Sequence, residues 1–517
     1  MATGFARKGR QRLRFLICAA WTPLVVLVLA GADPAAARTA TSQISSPIAT
    51  RGALSRLQVN PLLQQGPKLL GRSSEFSDAG WFGSEVALSA NGSTALISGG
   101  GAIPLVWVFT RSGSIWTQRQ TLCSSNGQAC FGGSAALSAD GGTALIDDGV
   151  EARVFTRTGS SFTEAQTLTV SSTMPSIEPS ASLALSADGS TALIGDNNDN
   201  GAVGAVWVFT RTGSSFTQQQ ELTGGGESGG GQFGRTVALS ADGNTALIAA
   251  PFDNNGVGAV WVFTRSGSSW LQQQTLTAAL GSETGAGNFG ASVALSADGN
   301  TTLIGGDIDN NGVGAMWVFT RSGSSFAQQQ RLTAAAGTET GAGNFGGSVA
   351  LSANGSTALI GGGENGGIGA VWVLGRSGSS FAQQQRLSGG GEIGEGSFGG
   401  SAALSADGGT ALIGGPGDSN GRGAVWVFAQ HLAKPPVTKI TQVKISRQQH
   451  WAKFSFKAPG AKGFECALMK QPDKTAHFSR CKSPKTCTHV RPGTYIFEVR
   501  ALSAAGAGPI VGRQFKI

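Results

Sequence analysis

The twelve residues VALSADGNTALI at 237–248 return almost unchanged at 293–304. The phrase occurs seven times, centred on Leu88, Leu137, Leu185, Leu239, Leu295, Leu351 and Leu404. Its spacing runs from 48 to 56 residues. A period of about fifty residues restricts a chain to a solenoid, a propeller or an array. Such a unit buries its apolar surface only against its neighbours. Each copy predicts four short strands. In the fifth these are SVALSA at 292–297, TTLIGG at 301–306, AMWVFTR at 315–321 and SFAQQQRLT at 325–333. Runs rich in Val, Ile, Phe, Trp and Thr between Gly, Asn, Asp and Ser clusters are strand-and-turn signals. Asp-Gly and Ser-Gly supply the positive φ angles of tight hairpins.

Seven four-stranded units predict an all-β chain with a seven-bladed β-propeller over residues 62–433. The seventh copy ends at GAVWVFAQ, residues 423–430, without its fourth strand. The stretch LLQQGPKLL at 62–70 resembles that strand. The N-terminal stretch is therefore expected to supply the outer strand of the last blade, which removes an open sheet edge. Trp107, Trp207, Trp261, Trp317, Trp372 and Trp426 hold one register position and are expected to pack between blades. The Gln runs are expected to pair on outer strands, and the SADG aspartates to form turns.

The repeat motif, NFG…SVALSADGN…LIGG followed by DNNGVGA and WVFTRSGSSF, resembles the FG-GAP repeat family, which includes the N-terminal propeller of integrin α subunits. The Phe-Gly pair stands at Phe82–Gly83, Phe131–Gly132, Phe233–Gly234, Phe289–Gly290, Phe345–Gly346 and Phe398–Gly399, and the third copy lacks it. The resemblance covers roughly residues 62–430. It implies ligand binding or cell adhesion and names no ligand. FECAL at 464–468 and GTYIFEVRALSAAG at 493–506 resemble a bacterial immunoglobulin- or fibronectin-like module. This predicts a small β-sandwich over 441–517, after a linker at 434–440 that begins with KPP.

Residues 1–37 have the form of a secretory signal peptide. Arg7, Lys8, Arg10, Arg12 and Arg14 precede the apolar run FLICAAWTPLVVLVLA, and small residues follow. The run is short for a spanning helix. The expectation is a secreted, extracellular or cell-envelope protein with no membrane span in the mature chain, beginning with a linker at 38–61. Cys123 and Cys130 are expected to form a disulfide across a short loop. Cys466 and Cys481 are the second choice, leaving Cys487 odd, although spacing alone does not fix connectivity.

Charge is unevenly placed. Residues 39–433 carry sixteen basic and twenty-six acidic side chains, whereas residues 434–517 carry sixteen basic and three acidic. Propeller topology places eighteen carboxylates on the face of the two–three loops and the blade-to-blade loops. The binding face is expected to centre on Asp253, Glu283, Glu339, Glu364, Glu392 and Asp418. Its negative field attracts cations and basic ligands and disfavours nucleic acid. DNNDNG at 196–201 sets Asp196, Asn198 and Asn200 at alternate positions, and DIDNNG at 307–312 sets Asp307, Asp309 and Asn311 likewise. Alternating oxygens before a glycine suit a Ca2+ ion. Integrin-type loops have a further acid at the ninth position, where this chain has Gly204 or Ala315. Plain Asx-rich turns without metal are the competing reading. No other cofactor is expected.

No catalytic residues are expected. All four histidines, His431, His450, His477 and His489, lie outside the blades, and the only tyrosine is Tyr495. The expected function is a non-enzymatic binding or adhesion protein for an extracellular protein or glycan. One alternative is a structural envelope or matrix component tethered to anionic polymer by its basic end. A carbohydrate-active enzyme with a carboxylate pair is the other.

Overall fold

The computed structural model describes residues 60–72, 80–99, 105–122, 133–147, 151–170, 182–279, 285–335, 337–338, 341–430, 436–472, 476–503 and 506–517. The proposed signal peptide, Cys123, Cys130, Glu283 and Glu339 lie outside these residues.

Seven antiparallel sheets of four strands follow one another along the chain. In the fifth, the strands are Ser292–Leu295, Thr301–Gly306, Ala315–Ser322 and Ser325–Leu332. The seventh completes itself from the far end of the sequence. Leu62–Gln64 pairs antiparallel with Ala424–Gln430, setting Leu62 opposite Gln430 and Gln64 opposite Phe428. The expected clasp is thus present.

The inner turns close the circle. Each SADG or SANG turn carries an alanine whose N–H donates to the alanine carbonyl of the next sheet. The order is Ala90 to Ala139, then Ala187, Ala241, Ala297, Ala353 and Ala406, and Ala406 donates back to Ala90. All seven bonds are 2.9–3.0 Å. The turn itself is fixed by its own side chains. The Ser240 hydroxyl donates to Asp242 Oδ1, and the Asn244 and Thr245 amides donate to Asp242 and Ser240 respectively. The same set recurs at Ser138–Asp140, Ser186–Asp188, Ser296–Asp298 and Ser405–Asp407.

Packing repeats around the circle. Each apolar core is shared by two adjacent sheets: Leu193, Val206 and Leu222 of the third sheet meet Ile248, Trp261 and Phe263 of the fourth. Leu412, Val425 and Val427 of the seventh meet Ile97, Trp107 and Phe109 of the first. The six register tryptophans are fully buried in these contacts. This closed order of four-stranded sheets makes the chain a repeat β-propeller.

The outer strands are joined by glutamines, which bond to backbone rather than to one another. Gln220 donates to the Trp270 carbonyl and accepts from the Trp270 N–H. Gln120, Gln166, Gln274 and Gln330 do the same to the aromatic residue of the next outer strand. Gln385 does it to Leu62 of the clasp. The seam between the seventh and first sheets lacks this bridge. Gly66 stands where a glutamine would, its φ is +71°, and Pro67 follows. A cleft of about 530 Å3 lies there, bordered by Leu63, Gly66, Ile115 and Trp116.

Residues 436–517 form two further sheets. One contains Lys439–Ser446, Trp451–Lys457 and Lys485–Cys487. The other is built on Gly463–Lys470 and Thr494–Ser503. Phe454 and Phe456 of the first pack with Phe497, Val499 and Phe515 of the second in one core. Cys466 and Cys481 are bonded, with Cα atoms 5.8 Å apart. Cys487 is free, and burial pushes its thiol pKa up.

Candidate functional site

The face carrying the two–three loops is built from interlocked turns. In DNNGVG, at 253–258 and 309–314, the aspartate opens a four-residue helical turn, and two left-handed residues follow, at Asn254 and Asn255 or Asn310 and Asn311. Asparagine tolerates that conformation better than most side chains. The next Phe-Gly pair latches onto this turn. Phe233 donates to Val203 O, Phe289 to Val257 O and Phe345 to Val313 O. Gly346 sits at φ +98°, and a Cβ there would lie 2.4 Å from Ala315 O, so only glycine fits. The phenylalanine ring packs edge-on against the tryptophan of its own sheet, as Phe289 does on Trp317 at 5.2 Å. The FG pair therefore joins adjacent sheets.

The aspartate of the turn faces inward. Asp253 accepts from the Ser228 N–H at 2.6 Å, and Asp418 from the Ile393 N–H at 2.8 Å, tying down the linker that precedes each sheet. Asp309 and Asp418 are fully buried. Each is paired with a cation: Asp309 with Arg331, and Asp418 with Lys68 at 2.5 Å. The position of Arg331, opposite the sheet tryptophan, is Thr275 in the fourth sheet. There Glu227 lies beside Asp253, and burial first, then the charge of Asp253, push its carboxyl up to about 7 against the Gly231 N–H. Glu392 beside Asp418 is likewise raised to about 7, by burial first, while Lys68 opposes the shift.

The expected calcium loops take different shapes. By its carbonyl bond to Gly204, Asp199 is the counterpart of Asp309, Asp253 and Asp418. Asp196 ends a strand one residue earlier than the place of Asp307. Its Oδ1 accepts from the Asn198 N–H at 3.0 Å, an Asx turn, and Asn200 is left-handed. Burial pushes the Asp307 carboxyl up. Asn311 is exposed. Among the described residues, no group of three or more His, Cys, Asp or Glu side chains is placed to hold a metal ion. Glu364 is exposed.

Sequence reasoning missed two features. Five large apolar side chains, Trp81, Phe252, Ile308, Ile368 and Ile393, stand exposed on these same turns and linkers. Phe252 and Ile308 each directly precede the buried aspartate, so the chain itself sets them at the rim. Glu85 is the other. Burial, assisted by Asp147, pushes its carboxyl up to about 7, although the Ser134 hydroxyl donates to it at 3.1 Å. The signal was visible: the aligned residue in each of the other six sheets is a serine or threonine. Besides Ser134 these are Ser182, Thr236, Ser292, Ser348 and Ser401, whose hydroxyls cap the glycine carbonyl of the next FG pair.

On the opposite face the arginines go beyond balancing charge. Arg157, Arg211, Arg265, Arg321 and Arg376 each donate Nη1 to a threonine hydroxyl of the preceding sheet, and Arg111 does so to Thr410 across the closure. Each guanidinium of the first five also donates to a glycine carbonyl of its own turn. This face is internally engaged. The Ser138 hydroxyl and the Gly142 N–H hold the Asp140 carboxyl below its usual range.

A family model for the FG-GAP repeat matches residues 216–263, from the outer strand of the third sheet to the third strand of the fourth. No curated protein matches the chain. Among solved structures it is similar to the RRP9 WD40 repeats at 12% identity and a TM-score of 0.47, covering 71% of this chain and 99% of that one. A protein from Lactobacillus plantarum is 13% identical with a TM-score of 0.43, covering 59% and 84%. A candidate 6-phosphogluconolactonase from Bacteroides uniformis is 14% identical with a TM-score of 0.43, covering 59% and 85%.

Proposed function

We propose that this is an exported, non-enzymatic binding protein. Its seven sheets act as the blades of an integrin-α-like propeller, and its partner, an extracellular protein or glycan, docks on the two–three loop face. One observation carries the reading. Trp81 and Ile393, each 58% exposed, and Ile368, 51% exposed, stand among the acidic turns of one face. Apolar side chains grouped on one face mark interaction sites, and aromatic anchors within a polar rim are the usual composition. The buried aspartates below them hold the loops still, so the surface is preorganised. The reading does not depend on calcium. Within it, Ca2+ at the 307–311 loop would compete with Arg331, which already occupies the Asp309 carboxylate.

The test is saturable binding of purified protein to envelope material from the cells that make it. The triple variant W81S/I368S/I393S is expected to lose at least about tenfold in affinity, roughly 1.4 kcal/mol, with an unchanged melting temperature. I115S/L271S, which removes exposed apolar groups from outer strands, is expected to bind as wild type. Equal binding by all three proteins would defeat the proposal.

A further inference from the structure

The C-terminal domain contains a cleft of about 870 Å3. Four cationic side chains line it: Lys462, Arg480, Lys482 and Lys485, with Phe464 and Leu502 among the apolar walls. They come from separate segments that are tied together. Lys462 leads into the strand Gly463–Lys470, and its N–H donates to Leu502 O at 2.7 Å. Arg480 lies in the strand Ser479–Cys481, which the Cys466–Cys481 bond pins to Gly463–Lys470. Lys482 follows it. The Ser483 hydroxyl accepts the Phe456 N–H at 2.8 Å and fastens the turn that leads to Lys485.

None of the four has an ion-pair partner among the described residues. Glu465, the acid nearest Lys462 in sequence and the cross-strand neighbour of Arg480, is engaged by Arg500 at 2.8 Å. Charge of one sign in a concave, partly apolar space focuses its field on what enters. We propose that this cleft is a binding site for an acidic polysaccharide. The cations take its carboxylates, and Phe464 and Leu502 take the apolar faces of its sugar rings. The acidic propeller, with ten more carboxylates than cations over residues 39–433, repels a long, densely charged nucleic acid and tolerates a sparsely charged glycan. The site stands apart from the propeller face, and neither reading requires the other.

The experiment titrates the purified protein with an oligogalacturonate, with a neutral malto-oligosaccharide and with polyphosphate. Expected is saturable, salt-weakened binding of the oligogalacturonate and none of the neutral sugar. The variant K462Q/R480Q/K482Q/K485Q is expected to lose at least about tenfold in affinity. The variant K439Q/K444Q/K453Q/K516Q removes the same charge from exposed positions outside the cleft and is expected to lose less than about threefold. Melting curves confirm folding, and R480Q alone serves if the quadruple variant unfolds. Equal losses in both quadruple variants would reduce the site to diffuse charge. Preference for polyphosphate, or no binding of oligogalacturonate, would overturn the assignment.

Discussion

At Thr275 the fourth sheet lacks the cation that the fifth supplies as Arg331 and the seventh receives from Lys68. The consequence belongs to Glu227, whose folded pKa of about 7 stands above the ordinary carboxylate value. Between about pH 4.5 and 7 the folded state therefore holds a proton that the unfolded chain has released. Stability from this group falls as pH rises through that window and levels off above it. Thr275 is exposed, so a longer side chain has room. T275R is expected to place a guanidinium at Asp253 and Glu227, as Arg331 does at Asp309. The variant should gain about 0.5–1 kcal/mol near pH 8 and less near pH 5, read from urea midpoints at the two values. An equal gain at both would show that the arginine acts by packing or through Asp253 and that Glu227 is indifferent to it. None of this pairing was legible beforehand. Asp309 and Arg331 look like one loop acid and one strand cation, and Lys68 reaches Asp418 across 350 residues only because the circle closes.

Strands and turns were legible because their chemistry is local. Asp-Gly and Ser-Gly fix the hairpins, and a period near fifty fixes the count of units. The glutamines were legible only as outer-strand residues. Their partners are backbone groups of the next sheet, and no local pattern announces a contact between elements about fifty residues apart. Gln385 shows what such a bridge does. It holds both the N–H and the carbonyl of Leu62, in a clasp strand of only three residues. Gln220 makes the same two bonds to Trp270, within a strand of eight. Replacing either by leucine leaves two backbone groups unpaired and is expected to cost about 1–3 kcal/mol. The local outcome should differ. Limited proteolysis of Q385L is expected to cut near residues 60–70, whereas Q220L should resist at Trp270, where the hairpin partner still holds the strand. Indistinguishable cleavage of the two would mean that the clasp is held by its apolar contacts alone.

Among the described residues, no sheet has a core of its own. Each core is shared by two neighbours, and the alanine turns form a closed circle of seven backbone bonds. Six junctions between sheets are also joined by the continuous chain. The chain crosses the seventh only by way of the clasp, so its closure rests on non-covalent contact: the pairing of Leu62–Gln64 with Ala424–Gln430, the Ala406-to-Ala90 bond, the Phe82 latch on Arg422 O, the Trp107 core and the Arg111 bond to Thr410 among them. The clasp completes the seventh sheet beside this junction. Without Leu62–Gln64 the strand Ala424–Gln430 would present a bare edge, and the core between the sixth and seventh sheets would lose Leu62. An unpaired edge is a template for pairing with another chain. Deleting residues 60–72 is therefore expected to lower the denaturation midpoint and to produce concentration-dependent association, seen by light scattering. A synthetic peptide of residues 60–72 added in trans should restore the monomer and raise the midpoint, because it binds only the folded form. A deletion variant that stays monomeric with an unchanged midpoint would show that the contacts of the seventh junction close the circle unaided, and that the clasp only covers a finished edge.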